Sequence, residues 1–229
     1  MNTVLRRRLD MATRVRDFLQ AHTDVIGDGA GALGLAKLEE LLQRADALVA
    51  KQRAGIAATR SATRQRKDIR YTLQTALLAY LKVVSQAASR VNPDLVAQFQ
   101  MPHLNVSHRV FVAAVRGLLA KAIEQKDLLV RYGMQASLLD DLGSMLGGFE
   151  TTLESSRAGR REHIGATADL KAVDSEIAKQ VRVLDGLMRY RFRNNADLMG
   201  EWASVHNVGG SVRSKGTPQT DGGDQTKAA

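Results

Sequence analysis

Positively charged side chains cluster in two polar segments of the sequence, and they are the residues best suited to bind a partner. Large apolar residues disappear between Ala57 and Asp68, and again over residues 154–169, where Ile164 is the exception. Cations grouped in this way can hold phosphates, because each contact releases condensed counterions. The candidate phosphate or partner contacts are Arg53, Arg60, Arg64, Arg66, Lys67, Arg157, Arg160 and Arg161.

Two interpretations of these basic segments stay open. If each segment is the tip of a helical hairpin, and both tips lie at one end of a bundle, the molecule has a positive pole that binds nucleic acid. Against nucleic acid, the segments lack the aromatic residues on which bases stack. A solvated hairpin end that keeps the protein soluble explains the same charges.

Motifs for catalysis, cofactors and metals are not supported by their sequence context. The string Gly29-Ala30-Gly31-Ala32-Leu33-Gly34 matches a dinucleotide-binding pattern. That pattern holds a pyrophosphate only after a β-strand, whereas here an amphipathic helix precedes it, so we interpret it as a loop between helices. None of the histidines stands three residues after a glutamate, and cysteine is absent. The sequence therefore predicts no catalytic, cofactor or metal site, and no small-molecule substrate.

Apolar residues recur at three- and four-residue spacing along most of the chain, which predicts amphipathic helices. Aromatic residues make up only 4% of the chain, which disfavours a β-sandwich. The expected fold is all-α: an up-and-down helical bundle of about six long helices with coiled-coil-like seams. Trp202 is expected to anchor a short final helix on this bundle. The predicted helices cover about residues 3–24, 35–56, 69–91, 106–131, 138–153 and 173–192, with the short one near 198–205.

The first basic segment separates two of these helices, and we place a turn near Thr59–Thr63. A single helix over residues 33–91 would be about 88 Å long at ~1.5 Å per residue, and its middle would be solvated. No proline or glycine lies between residues 56 and 91, which keeps the continuous helix open as the alternative. A loop is also expected over Gly27–Gly34, where glycines cluster.

The sequence repeats itself at a shift of 104 residues. Arg53-Ala54-Gly55 matches Arg157-Ala158-Gly159, and the apolar stripes on both sides align at the same shift. Such self-similarity predicts a tandem duplication of a three-helix unit. The copies, about residues 1–92 and 103–195, are expected to form a single bundle domain over residues 1–208. Residues 209–229 have no apolar pattern and are expected to form a disordered tail.

The formal net charge of +9 favours acidic partners without choosing between nucleic acid and an anionic membrane. No stretch reaches the ~18 apolar residues of a spanning helix, and no secretory signal is recognisable, so a cytoplasmic location is expected. We expect a non-catalytic interaction or scaffold protein that binds a protein partner or itself. Association with nucleic acid through the basic segments is the alternative, and association with a membrane surface is the third interpretation.

Overall fold

The computed structural model describes residues 3–27, 29–103 and 105–208, so the tail predicted over 209–229 lies outside the described residues. Every regular element in these ranges is helical, and the all-α prediction is confirmed. No helix in the same ranges combines the length and the hydrophobicity needed to cross a lipid bilayer. The described residues divide into two compact units, the first formed by residues up to 49 and from 169 onward, the second by residues 50–168.

The helices differ widely in length. Two of them, α3 and α8, contribute to both units, and each unit adds shorter helices of its own. A π-helix over Leu73–Leu77 stands directly between α3 and α4. In chain order the helices are α1 (Thr3–Ala21), α2 (Thr23–Ile26), α3 (Ala30–Thr72), α4 (Leu78–Ala88), α5 (Leu95–Gln98), α6 (His108–Glu124), α7 (Lys126–Arg131), α8 (Leu138–Arg191) and α9 (Ala196–Val205).

The first unit packs around one apolar cluster. Val15 and Leu19 of α1, Leu38 of α3, and Val173 and Ile177 of α8 are all fully buried in it. Each helix supplies these residues at the three- and four-residue spacing read from the sequence, so one stripe of each helix faces the cluster.

Trp202 holds α9 on the first unit. Its side chain is 1% exposed, and its ring centroid lies 5.6 Å from that of Phe18 and 6.5 Å from that of Phe192. Its Nε1 donates a hydrogen bond of 2.9 Å to Oδ1 of Asp185. The prediction that Trp202 anchors the final helix is therefore confirmed.

The carboxyl group of Asp185 is stabilised in its ionised form. Nε of Arg189 donates to both carboxyl oxygens at 3.0 Å, in addition to the bond from Trp202. Burial raises the pKa of Asp185, but the hydrogen bonds from Trp202 and Arg189 and the positive charges of His206 and Arg189 lower it by more, so the net shift is downward. The carboxylate therefore favours the folded state.

We expect Asp185→Asn to destabilise the protein in a pH-dependent way. The folded-state pKa lies below the unfolded value of about 3.9. The stabilisation is therefore fully present above that value and is lost as the pH falls through the folded-state pKa. Urea denaturation from about pH 7 down to about pH 3 should show the gap in unfolding free energy between wild type and variant closing in acid. A gap that does not change with pH would contradict this explanation.

The second unit has an apolar cluster of its own, to which the π-helix, α4, α6, α7 and the start of α8 contribute. Phe111 of α6 and Phe149 of α8 are fully buried in it, with ring centroids 5.4 Å apart. The end of α7 is tied to α4, because Oη of Tyr80 donates to the backbone oxygen of Gly133 at 2.5 Å. These contacts fix α6 on α8, and they fix the segment that follows α7 on α4.

The parts of α3 and α8 that lie in the second unit run antiparallel and touch through their backbones. Nε2 of Gln52 donates to Oγ1 of Thr167 at 2.8 Å, and a few residues further along α3, Gly55 faces Gly159. A Cβ atom placed on Gly55 would lie 2.7 Å from the backbone oxygen of Gly159, which leaves room only for hydrogen atoms. We call this contact the glycine seam; its residues are Gln52, Gly55 and Thr59 of α3 with Gly159, His163 and Thr167 of α8.

The turn predicted near Thr59–Thr63 is wrong, because residues 57–68 lie inside α3 and residues 154–169 lie inside α8. Large apolar residues are missing at the glycine seam because the helices approach too closely to admit them. The hydroxyl groups are satisfied within the helix: Oγ1 of Thr59 donates to the backbone oxygen of Gly55 at 2.9 Å, and Thr63 donates to Thr59 at 2.8 Å. Threonine can therefore line a helix contact without leaving an orphaned polar group.

The loop predicted over Gly27–Gly34 is also wrong from Ala30 onward, where α3 begins. Gly34 is a packing position in the first unit. A Cβ atom placed there would lie 2.7 Å from Cδ2 of Leu184, and the backbone oxygen of Gly34 accepts a hydrogen bond of 2.9 Å from Gln180. Gly34 therefore lets α8 approach α3 and is not part of a flexible connection.

Candidate functional site

Positive charge is concentrated in the second unit. Residues 50–168 carry 17 lysine and arginine residues against 9 aspartate and glutamate residues, so they account for +8 of the formal net charge of +9. All eight predicted contact residues belong to this unit. A charge this unevenly distributed attracts anions to one part of the molecule.

Four of the predicted cations form a row along α3. Arg53, Arg60, Arg64 and Lys67 follow one another at intervals of seven, four and three residues, which places them on one face of the helix. All four are exposed. At ~1.5 Å per residue the row is about 21 Å long. We call these four residues the α3 stripe.

The charges of the α3 stripe are not neutralised by the described part of the chain. Among the described residues, no carboxylate lies within 4.0 Å of any of the four side chains, since every ion pair found there involves other residues. Like charges three or four residues apart on a helix repel each other. A polyanion that lies along the stripe would relieve this repulsion.

Arg157, Arg160 and Arg161 are exposed on α8, on both sides of Gly159. Because Gly159 packs against Gly55, the two basic segments lie side by side in the second unit. The prediction that they are hairpin tips is wrong, since both lie in the interior of long helices. The two segments lie together because α3 and α8 pack closely at Gly55 and Gly159, and not because two hairpin tips meet at one end of a bundle.

Arg66 departs from the α3 stripe. It is half-buried, and its Nη2 atom lies 3.4 Å from Oγ1 of Thr63. Together with Arg157 and His108, Arg66 lines a cavity in the second unit. The eight predicted residues therefore divide between an open row on α3, an exposed pair on α8, and this cavity.

Tyr71 is a candidate contact residue that was not predicted from the sequence. It follows Lys67 by four residues, so it continues the face of the α3 stripe, and its side chain is 69% exposed. An exposed aromatic ring beside a row of cations is the combination that binds bases and phosphates together. The four-residue spacing from Lys67 places Tyr71 on the face of the stripe. This spacing relates Tyr71 to all four cations only because α3 is continuous through residues 57–68.

A shallow groove of about 370 Å³ runs beside the stripe, lined by Arg60, Arg64 and Lys67 together with Thr59 and Thr63. Both threonine hydroxyls already donate to backbone oxygens of α3. The donors that remain for a ligand are the cationic groups, which suit a phosphate oxygen.

The chemistry that this surface offers is charge and stacking. Guanidinium and ammonium groups can pair with phosphates, and an exposed phenol ring can stack on a base. In the described part of the chain, no group of three or more histidine, aspartate and glutamate side chains is placed to hold a metal ion. No protein-family model, no curated protein and no solved structure matches the chain.

Proposed function

We propose that the protein is a non-catalytic interaction protein of the cytoplasm, and that it binds nucleic acid through the α3 stripe. The observation that carries the proposal is the row of exposed cations, unpaired among the described residues, that Tyr71 extends. Each strand of a duplex carries one phosphate per about 3.4 Å of helix axis, so a row about 21 Å long spans the axial rise of about six phosphates. A linear row of charge fits a linear polyanion.

The four cations supply affinity without reading sequence. Each phosphate contact releases counterions, which makes binding favourable at low salt and independent of the base order. Tyr71 adds a stacking surface that is useful to a base outside a duplex. The proposed interaction is therefore tolerant of sequence and sensitive to salt.

Fluorescence anisotropy of a labelled oligonucleotide tests the proposal with the full chain. If the stripe neutralises about four phosphates, the binding constant should fall about a hundredfold between about 50 mM and about 200 mM salt. Replacing Arg53, Arg60, Arg64 and Lys67 with glutamine should weaken binding at low salt by more than about a hundredfold, because the contribution of these contacts is largest there. The same variant should flatten the salt dependence by about three to four logarithmic units per decade of salt.

A matched control removes the same charge elsewhere in the second unit. Lys82, Arg90, Lys126 and Arg131 are exposed cations outside the stripe, and their replacement with glutamine lowers the net charge equally. This control variant should keep most of the affinity and the salt slope. Equal losses in the two variants, or no binding by the wild type at low salt, would overturn the proposal.

Tyr71→Ala separates the stacking contribution from the charge contribution. The variant keeps every cation, so its salt slope should equal that of the wild type. Its affinity for a single strand should fall about five- to a hundredfold, which is the usual effect of removing one stacked ring, and its affinity for a duplex should change little. A loss that is equal for single strand and duplex would contradict the stacking role.

We also propose that the chain arose by tandem duplication, as the shift of 104 residues predicts. Gly55 and Gly159, which this shift pairs, pack against each other. Their further contacts are reciprocal: a Cβ atom on Gly55 would lie 2.8 Å from the backbone nitrogen of His163, and one on Gly159 would lie 2.8 Å from Oγ1 of Thr59. The same shift pairs Thr59 with His163. Contacts in which equivalent residues meet are typical of a twofold axis, which supports the duplication.

A further inference from the structure

A second concave site in the second unit is lined by α6, α8 and one residue of α3. The first turns of α6 and residues 150–157 of α8 supply most of its lining, and Arg66 comes from α3. Its volume of about 640 Å³ lies within the range of about 300–1,000 Å³ that is usual for small-molecule pockets. The α3 stripe contributes no residue to it.

The cavity has an excess of positive charge. Arg116 and Glu150 neutralise each other in an ion pair of 2.7 Å. The remaining charged groups in the lining are Arg66, Arg109 and Arg157 against Glu154. Three guanidinium groups and one carboxylate leave an excess of two positive charges around one small volume. An anion with about two negative charges would balance them.

His108, at the first position of α6, adds a polar but uncharged group. Partial burial, with further contributions from the positive charges of Arg66 and Arg70, lowers the pKa of His108 below its ordinary value. At neutral pH the imidazole is therefore neutral and can donate one hydrogen bond.

The wall of the cavity that α6 supplies is held in place. Nη2 of Arg70 donates to the backbone oxygen of Val106 at 3.1 Å, and its guanidinium lies 4.6 Å above the ring centroid of Phe111. Oγ of Ser107 caps α6 by accepting from the backbone nitrogen of Val110. Because these contacts fix the start of α6, the backbone that carries His108 and Arg109 does not have to be ordered by the ligand, which lowers the cost of binding.

Three apolar side chains complete the lining, namely Val112, Ala113 and Leu153. We infer that this cavity binds a small molecule that carries two or more adjacent phosphate groups beside an apolar or ring portion. Guanidinium forks match phosphate oxygens in pairs, so three of them suit a pyrophosphate group better than a single phosphate. The apolar side chains provide contact area for the rest of such a molecule.

Isothermal titration calorimetry of the full chain with pyrophosphate, orthophosphate and ATP tests this inference. Pyrophosphate should bind with one-to-one stoichiometry and more tightly than orthophosphate, and ATP should bind more tightly still because of the apolar wall. Arg109→Gln should weaken pyrophosphate binding about tenfold or more, the usual effect of losing one charged hydrogen bond. Glu154→Gln should strengthen it about twofold, because a repelling carboxylate is removed.

Two controls distinguish this site from general attraction to a basic protein. Arg131→Gln, an exposed residue of α7, removes one charge elsewhere and should leave pyrophosphate binding unchanged. Added pyrophosphate should shift the imidazole NMR signals that disappear in His108→Gln. The inference would be overturned if Arg109→Gln and Arg131→Gln weakened pyrophosphate binding equally. It would also be overturned if Glu154→Gln bound pyrophosphate more weakly than wild type, or if the His108 signals did not shift.

Oligonucleotide binding by the α3 stripe and pyrophosphate binding by the cavity can be tested independently. The quadruple glutamine variant of the α3 stripe should keep its pyrophosphate affinity, because none of its four residues lines the cavity. In the same way, Arg109→Gln should keep its oligonucleotide affinity. Loss of pyrophosphate binding in the stripe variant would assign that binding to the stripe and overturn the cavity site.

Discussion

Replacing Trp202 with alanine should lower the free energy of unfolding by about 3–5 kcal/mol, the usual cost of truncating a fully buried aromatic side chain. The indole contacts Phe18 and Phe192 in the first unit, so its removal leaves a cavity that these rings cannot fill. It also removes the hydrogen bond that Asp185 accepts from Nε1. Urea denaturation followed by circular dichroism measures the loss.

Trp202→Phe is the graded control for this prediction. The smaller ring keeps most of the apolar contact but has no donor for Asp185, so it should cost about 1–3 kcal/mol. The order of stability should be wild type, then phenylalanine, then alanine. An alanine variant that loses less than about 1 kcal/mol would mean that α9 is not held by this side chain.

Gly159→Ala should destabilise the protein by about 1–3 kcal/mol although alanine is the better helix former. The new methyl group would lie 2.8 Å from the backbone oxygen of Gly55 and 3.1 Å from the backbone nitrogen of Thr59. Backbone atoms of a continuous helix cannot turn aside as a flexible side chain does, so α3 and α8 must separate locally. The midpoint of urea denaturation should fall.

Gly165→Ala is the matched control on the same helix. Gly165 is an exposed residue of α8 with no atom within 4 Å of its added Cβ, so only the helix propensity changes. This substitution should stabilise the protein by about 0.5–1 kcal/mol. The two glycine substitutions should therefore differ in sign, and a stabilising Gly159→Ala would contradict the glycine seam.

The fold could be predicted where large apolar side chains form the stripes. Leu38 and Ile177 occur in such stripes, and both are buried in the first unit. The spacing of three and four residues is a local property of a helix, so it can be read without knowledge of the partner helix.

The continuity of α3 and α8 could not be predicted in the same way. A run of small and polar residues such as 57–68 has the same local appearance in a solvated turn and in a close helix contact. The difference is decided by Gly159 and His163, which are distant in sequence from Gly55. The shared Arg-Ala-Gly triplets contained this information, but the sequence alone did not show that the two copies of the glycine meet.

The candidate site was predicted in part. The basic residues are recognisable by type, since long cationic side chains in the absence of apolar neighbours are exposed. Their division between a stripe and a cavity depends on the helix face, and Arg66 and Lys67 are adjacent in sequence but differ in burial. His108 and Arg109 were missed because they join the cavity from α6, and nothing in their local sequence indicates that position.

The contact between Gly55 and Gly159 also has a consequence for how the chain folds. These residues are separated by 104 positions, so a long loop must close before they meet, and each doubling of loop length adds about 0.6 kcal/mol to that entropic cost. Individual turns of helix form within about a microsecond. We therefore expect the backbone-to-backbone contact to form after the helices, to fix their register, and to slow unfolding more than it speeds folding.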